Sequence, residues 1–574
     1  MTPPDSSCFC LAGSLVVRSG ETRSHVAPWS RVRKRSWERI SPDLTTNDPE
    51  KQKQEESGGI TVDNSSAEMH TTIYSISESP KASGLIWVGT DDGNVQLTRD
   101  GGKTWSNVTR NVPDLPPASW VSWVEASRFD PATAYATFDR HTFGDFAPYV
   151  YRTSDYGQSW TRVAGADKGI VGWAHVVKED PVVGRILWVG TELGLWVSVD
   201  AGKTWAAFKG GKLPAVPVRD LAFSVRDNDL AIATHGRGIW IIDDVTPLRA
   251  LSSEATARDV AFLPGRPVQQ RMIGVGGWMD GDAKFTGPTS PAGAVITYYQ
   301  ATRHLYGPLQ LEVVGPDGKV IDTVNTSKRR GINRVAWTMR LPPPRVPRAA
   351  QVAFSSTLGP RVLPGTYTAR LTKGKQVVEM PLEIGLDRRA PYDVAARHAQ
   401  LEAVLRVRDL FGRMSADVDR LELARASAQA RAGALGVDSE LAKRLGAFAA
   451  RLDDQRKKIV ATKEGGAITG EERLREHADS LYGALNGWEG RPGSYQLERI
   501  AVLERELGDV ERDAQAALGE VPALNQELEK AGQKPIPTDP PRHTEAEPRS
   551  SDVQRAFGLF LGLPVGEPER VERD

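Results

Sequence analysis

Three stretches of one pattern restrict what this chain can fold into. They are Thr98-Arg-Asp100-Gly-Gly102-Lys-Thr104-Trp105, Thr153-Ser-Asp155-Tyr-Gly157-Gln-Ser159-Trp160 and Ser198-Val-Asp200-Ala-Gly202-Lys-Thr204-Trp205. Each reads Ser/Thr-x-Asp-x-Gly-x-Ser/Thr-Trp. The chemistry is that of a tight β-hairpin. An Asp carboxylate accepts bonds from turn N–H groups. Gly takes a positive φ without steric cost, and Trp gives a short hairpin a large apolar anchor. Three copies in register predict a repeat architecture. The box aspartates Asp100, Asp155 and Asp200 fall 55 and 45 residues apart, which suits propeller blades of about 40–50 residues.

The surrounding pattern agrees with blades. From His70 to Asp244, short runs rich in Val, Ile, Thr and Trp alternate with Gly, Asp and Pro turns. Ile86-Trp-Val-Gly-Thr90 and Leu187-Trp-Val-Gly-Thr191 are near copies, each just ahead of its box. Leu230 to Asp244 repeats the Gly-aliphatic-Trp core without a box and is expected to be the closing blade. Ser36-Trp37 matches the end of a box whose Asp and Gly positions hold Val32 and Lys34, so the chain is expected to begin partway through a blade.

The expected fold class is mainly β with an α-helical C-terminal part: a partial β-propeller of about four blades, a β-sandwich, and an antiparallel helical bundle or hairpin. Residues 1–35 are expected to be a disordered or non-native leader, 36–251 the propeller, 252–284 a linker and 285–386 the sandwich. Residues 390–532 carry 3.6-period apolar stripes such as Val404, Phe411, Met414 and Val418, and are expected to form the helices. Residues 533–574 are expected to be a disordered tail with a short helix at 553–561.

Composition excludes several function classes. Lys+Arg and Asp+Glu both number 73 among 574 residues, which gives no electrostatic footprint for nucleic acid. No apolar run reaches the roughly 20 residues that span a bilayer. The only cysteines are Cys8 and Cys10, and the nine histidines are scattered, so neither a metal site nor a cofactor is expected. Cys8 to Val17 makes a poor signal peptide, with Asp5 ahead of it and no basic segment before the apolar run.

Residues 36–251 resemble the C-terminal half of bacterial Asp-box (BNR-repeat) propeller proteins of the sortilin-type, glycosidase-like family. Ser41-Pro-Asp-Leu-Thr-Thr46, Trp87 to Gly93, Thr234-His-Gly-Arg-Gly-Ile-Trp240 and Asp243 to Leu248 carry the resemblance. Residues 294–384 resemble the small Ig-like, FlgD-type sandwich that follows some secreted propellers. The resemblance implies an exported protein and more blades than this sequence holds, with missing blades supplied by another chain or absent. It also implies hydrolase chemistry on sugars as one possibility.

The Asp-box set (Asp100, Gly102, Trp105; Asp155, Gly157, Trp160; Asp200, Gly202, Trp205) is expected to be structural, one turn per blade. Glycoside hydrolysis needs two carboxyls within roughly 5–9.5 Å across one substrate. Better catalytic candidates stand at the other end of the blades: Asp91, Asp92, Asp139 and Glu192. His141, in the insertion from Phe138 to Pro148, and His235 and Arg237, in the last blade, are the ligand-binding candidates. The expected function is a binding or scaffold module for a glycan or protein ligand. The alternative is a glycoside hydrolase with a carboxylate pair on channel-facing loops.

Overall fold

The computed structural model describes residues 9–12, 15–22, 34–53, 70–209, 213–271, 293–436, 438–463 and 470–539. It divides into two compact units, Met1–Ala255 and Thr256–Asp574.

The first unit is a partial β-propeller. Within the stretch read from sequence as a leader, β1 (Phe9–Ala12) and β2 (Leu15–Thr22) pair antiparallel, and β2 pairs antiparallel with β3 (Lys34–Arg39), which runs from its end into the stretch read as propeller. Four sheets then follow in chain order. Blade 1 is β4 (Ile73–Glu78), β5 (Ile86–Thr90), β6 (Val95–Thr98) and β7 (Ser106–Asn107). Blade 2 is β8 (Trp120–Ala126), β9 (Ala134–Arg140), β10 (Asp145–Thr153) and β11 (Thr161–Ala164). Blade 3 is β12 (Ala174–Glu179), β13 (Leu187–Thr191), β14 (Gly194–Ser198) and β15 (Ala206–Ala207). Blade 4 holds only β16 (Val218–Ser224), β17 (Asp229–Thr234) and β18 (Ile239–Ile242).

Successive blades meet through their first strands, which makes those strands the inner ones. The Val124 N–H donates to Ser75 Oγ at 3.0 Å, and Ser122 Oγ donates to the Ala174 carbonyl at 3.0 Å. Buried Glu179 locks blade 3 to blade 2, accepting from Ser127 Oγ, the Arg128 N–H and the Tyr135 hydroxyl. Between the sheets lie aliphatic layers, such as Val176, Trp188 and Leu195 of blade 3 against Val218, Leu221 and Ile232 of blade 4. Blade 4 offers its outer face to solvent. Cross-strand register makes Ile239 the counterpart of Leu195, yet Ile239 is 77% exposed where Leu195 is 2%.

The second unit opens with a β-sandwich. One sheet is β19 (Val260–Phe262), β21 (Ala294–Gln300) and β24 (Gly331–Trp337). The other runs β20 (Val268–Gln270), β26 (Gln376–Leu386), β25 (Gly365–Lys373), β22 (Leu309–Val314) and β23 (Val320–Val324). Ile296, Tyr298, Leu311, Trp337 and Leu371 fill the space between the sheets. β19 and β20 come from residues read as linker; three-residue strands are too short to show a period.

Five long helices follow: α1 (Val394–Leu435), α2 (Glu440–Ile459), α3 (Leu474–Asn486), α4 (Ser494–Leu518) and α5 (Val521–Lys530). Asp393 caps α1 by accepting the Ala396 N–H at 2.8 Å. Ion pairs Arg456–Glu422 and Arg425–Asp453 show α1 and α2 running antiparallel. Arg406–Glu504 and Arg413–Glu511, equally spaced on both helices, show α4 parallel to α1. Ile536, in the stretch read as tail, is buried in the same core. The helix expected at 553–561 lies outside the described residues.

Candidate functional site

The two ends of each blade are chemically different. At the outer end sit the three boxes, all built alike. Thr98 Oγ1 donates to Asp100 Oδ1 at 2.8 Å and accepts the Gly102 N–H at 2.9 Å. Asp100 then accepts the Thr104 N–H at 3.0 Å and the Thr104 hydroxyl at 2.7 Å. Asp155 and Asp200 repeat this network with Thr153 and Ser159, and with Ser198 and Thr204. The Thr104 N–H and hydroxyl hold the Asp100 carboxyl down at about 2.

Each box glycine is also a seat for the preceding segment. A Cβ on Gly102 or Gly157 would strike Ile40 or Val108, and one on Gly202 would crowd Val163. Trp105 and Trp205 donate their indole N–H to the carbonyls of Ile40 and Val163. The boxes are joints between successive parts of the array, and their carboxylates are consumed inside their own turns.

At the opposite end, three turns are equivalent by their backbone bonds. The N–H groups of Asp91, Glu192 and His235 donate to the carbonyls of Thr72, Trp173 and Pro217, each just ahead of its blade's first strand. The side chains diverge. Asp92 is buried and accepts from the Thr46 N–H and hydroxyl, from Thr90 Oγ1 and from Asn94 Nδ2. Its role is to tie residues 44–46 to blade 1. Asp91 accepts the Thr72 N–H at 2.7 Å. Burial pushes its carboxyl up to about 6, with Asp92 adding to the rise against the Thr72 bond. Asp139 is buried and accepts both the His141 N–H and Nδ1, at 2.8 and 2.7 Å. Arg237 donates to the carbonyl of its neighbour Gly236. Among the described residues, His235 and Arg237 make no bond to the other candidates.

A feature that sequence reasoning missed lies on the inner strands. Each of the four carries one register shift against its neighbour, between Ile73 and Ser75, Val121 and Trp123, Ala174 and Val176, and Val218 and Asp220. Such bulges re-aim a side chain. The bulged residues are Tyr74, Ser122, His175 and Arg219, one per blade around the inner face.

His175 and Arg219 meet Glu192. His175 Nε2 lies 2.8 Å from Glu192 Oε2, and Arg219 Nη1 lies 3.3 Å from His175 Nδ1. A guanidinium only donates, so Nδ1 is the acceptor and Nε2–H donates to Glu192. Burial, then the Arg219 charge, pushes the imidazole's pKa down, against the Glu192 bond. Trp173 lies beside this group, its ring 6.0 Å from His175, with His141 stacked on it at 5.1 Å and Phe146 at 5.3 Å. Phe143 and Phe146 of the insertion are 53% and 57% exposed, so an aromatic rim stands open to solvent. The structure thus gathers Asp139, His141 and Glu192 around Trp173 and His175. Asp91 and Asp92 stay on blade 1 with partners of their own.

Among the described residues no group of three or more His, Cys, Asp or Glu is arranged to hold a metal ion, and no helix is long and apolar enough to cross a membrane.

No protein-family model and no curated protein matches this chain. Solved structures with local similarity include "YCF48 bound to D1 peptide", at 19% identity over 30% of this chain and 51% of that one, with a TM-score of 0.23. YCF48 from Cyanidioschyzon merolae is 18% identical over 29% and 52%, with a TM-score of 0.22. The GH74 xyloglucanase from Xanthomonas campestris is 10% identical over 68% and 46%, with a TM-score of 0.24. The chain spans about half the length of each of these chains. Likeness this slight assigns no activity.

Proposed function

We propose that the chain is a propeller-based binding module of the Asp-box, glycosidase-like kind, which takes a glycan or protein ligand at the mouth around Trp173. One observation supports this above others. The exposed rings of the insertion adjoin a polar group in which the inner-strand bulges bring His175 and Arg219 to Glu192. Aromatic surface next to a few convergent polar groups is the usual make-up of a ligand site. The carboxylates nearby are already committed: Asp139 to His141, and Glu192 to His175. A glycan microarray and a displayed-peptide library, probed with the full chain and with Trp173→Ala, test this. Hits on either panel that vanish in the variant are expected. Hits that survive it would move the site elsewhere.

A glycoside hydrolase is the second reading, favoured by one observation. Asp91, held up at about 6, has the protonation range of a general acid. Its neighbour Asp92 accepts four bonds and is poorly free to serve as the second carboxyl. Turnover of aryl glycosides that disappears in Asp91→Asn would establish this reading; no turnover on any of a broad panel would leave the binding reading alone.

A further inference from the structure

We propose that the ligand of this mouth is an acidic saccharide, its carboxylate held by Arg219 and a sugar ring packed on the Phe146–Trp173 rim. This deepens the binding reading above and rests on it. The Arg219 charge is matched only in part, by a long ion pair to Glu192. The Arg219 side chain is 44% exposed, while Glu192, its nearest acid, is 3.7 Å from Nη2, outside hydrogen-bond range. The Glu192 oxygen in question already accepts His175 Nε2–H at 2.8 Å. Among the described residues, the one hydrogen bond of the guanidinium is the 3.3 Å contact to the imidazole. That acceptor carries no negative charge.

A guanidinium presents a rigid fork that suits the two oxygens of a carboxylate. The bulge on β16 aims this fork at blade 3, so the donors stand beside the aromatic rim. The rim itself favours a sugar over an aliphatic side chain. His141 stacks on Trp173 with the two ring planes nearly parallel at 13°, and Phe146 tilts from Trp173 by 38°. His141 therefore covers part of one Trp173 face, and Phe146, 57% exposed, is the plate that the rim leaves open to solvent. The negative face of an aromatic ring attracts the slightly positive C–H groups on one side of a pyranose. An acidic sugar unites both demands within one ring.

The test uses calorimetric titration of the full chain with oligogalacturonate and with neutral galacto-oligosaccharide of equal length. Oligogalacturonate is expected to bind at least tenfold tighter, with the preference shrinking as salt rises. Arg219→Gln is expected to erase the preference, Arg219→Lys to keep part of it, and Phe146→Ala to weaken both sugars. Equal binding of the two sugars, or a preference that survives Arg219→Gln, would overturn the inference and leave the binding module standing. Binding of peptides with free C-terminal carboxylates, and of no saccharide, would overturn it in favour of a protein ligand. If neither sugar nor peptide binds, both the inference and the module fall, and a native β-rich circular-dichroism spectrum of the full chain separates that result from misfolding.

Discussion

The box end and the mouth end of the propeller use the same residue types in opposite ways. At the box end, Asp100, Asp155 and Asp200 sit in superposable turns with the same donors. At the mouth end, Asp91, Glu192 and His235 sit in turns that share one backbone bond, and each side chain has a different environment. Repetition marks the positions that join successive parts of the array. Divergence on a shared backbone marks the positions where the chain has specialised. Asp91 also titrates in the opposite sense to the box carboxyls. The box carboxyls are held below their ordinary value and Asp91 above it.

The sharpest way to break this contrast is to remove a box anchor. Trp160 is buried and meets Trp87 edge-on at 6.0 Å. Trp160→Ala is expected to cost about 3–5 kcal/mol in urea unfolding, while binding at the mouth persists in the protein that remains folded. Gly157 has φ +80° and a virtual Cβ 2.9 Å from Val108, so Gly157→Ala is expected to cost about 1–3 kcal/mol, measured the same way.

Acidity separates the two ends more gently. The box carboxyls bind protons less readily folded than unfolded; the Asp100 contribution is present above about 4 and is lost as pH falls toward about 2, and Asp155 and Asp200 shift in the same direction. Asp91 binds its proton more readily folded, so its contribution is present below about 4 and is lost as pH rises through about 6. In Asp91→Asn the melting temperature is therefore expected to stop declining between pH 4 and 6, with the acid limb unchanged. A decline that persists would assign it to another group. The smallest expected effect on stability is at the rim. Phe146→Ala should shift unfolding by no more than about 0.5 kcal/mol, yet weaken ligand binding about tenfold.

Much of the propeller was legible because turn chemistry is local. Asp, Gly and Trp at fixed offsets announce a box wherever they occur, and the near copies at Ile86 and Leu187 announce the strands between. The bulge ring was not legible, because a bulge is defined by the strand opposite. Tyr74, Ser122, His175 and Arg219 share no residue type. One signal was available: Tyr74 and His175 both stand twelve residues ahead of their near-copy strands, at Ile86 and Leu187. The pairing of His175 with Glu192 followed from the hairpin register of β12 and β13, which places Ala174 opposite Thr191. The tie between Asp92 and residues 44–46 is hidden for a related reason: its donors on Thr46 lie 46 residues away in the chain.

The bare outer face of blade 4 has a consequence for how the propeller comes apart. In a linear array each unit borrows stability from its neighbours, and among the described residues no further blade covers Ile239 and Ile241, which are exposed. Backbone amides of β16–β18 should therefore exchange with deuterium soonest, with protection deepening toward blades 2 and 3, so that unfolding starts as fraying from one end.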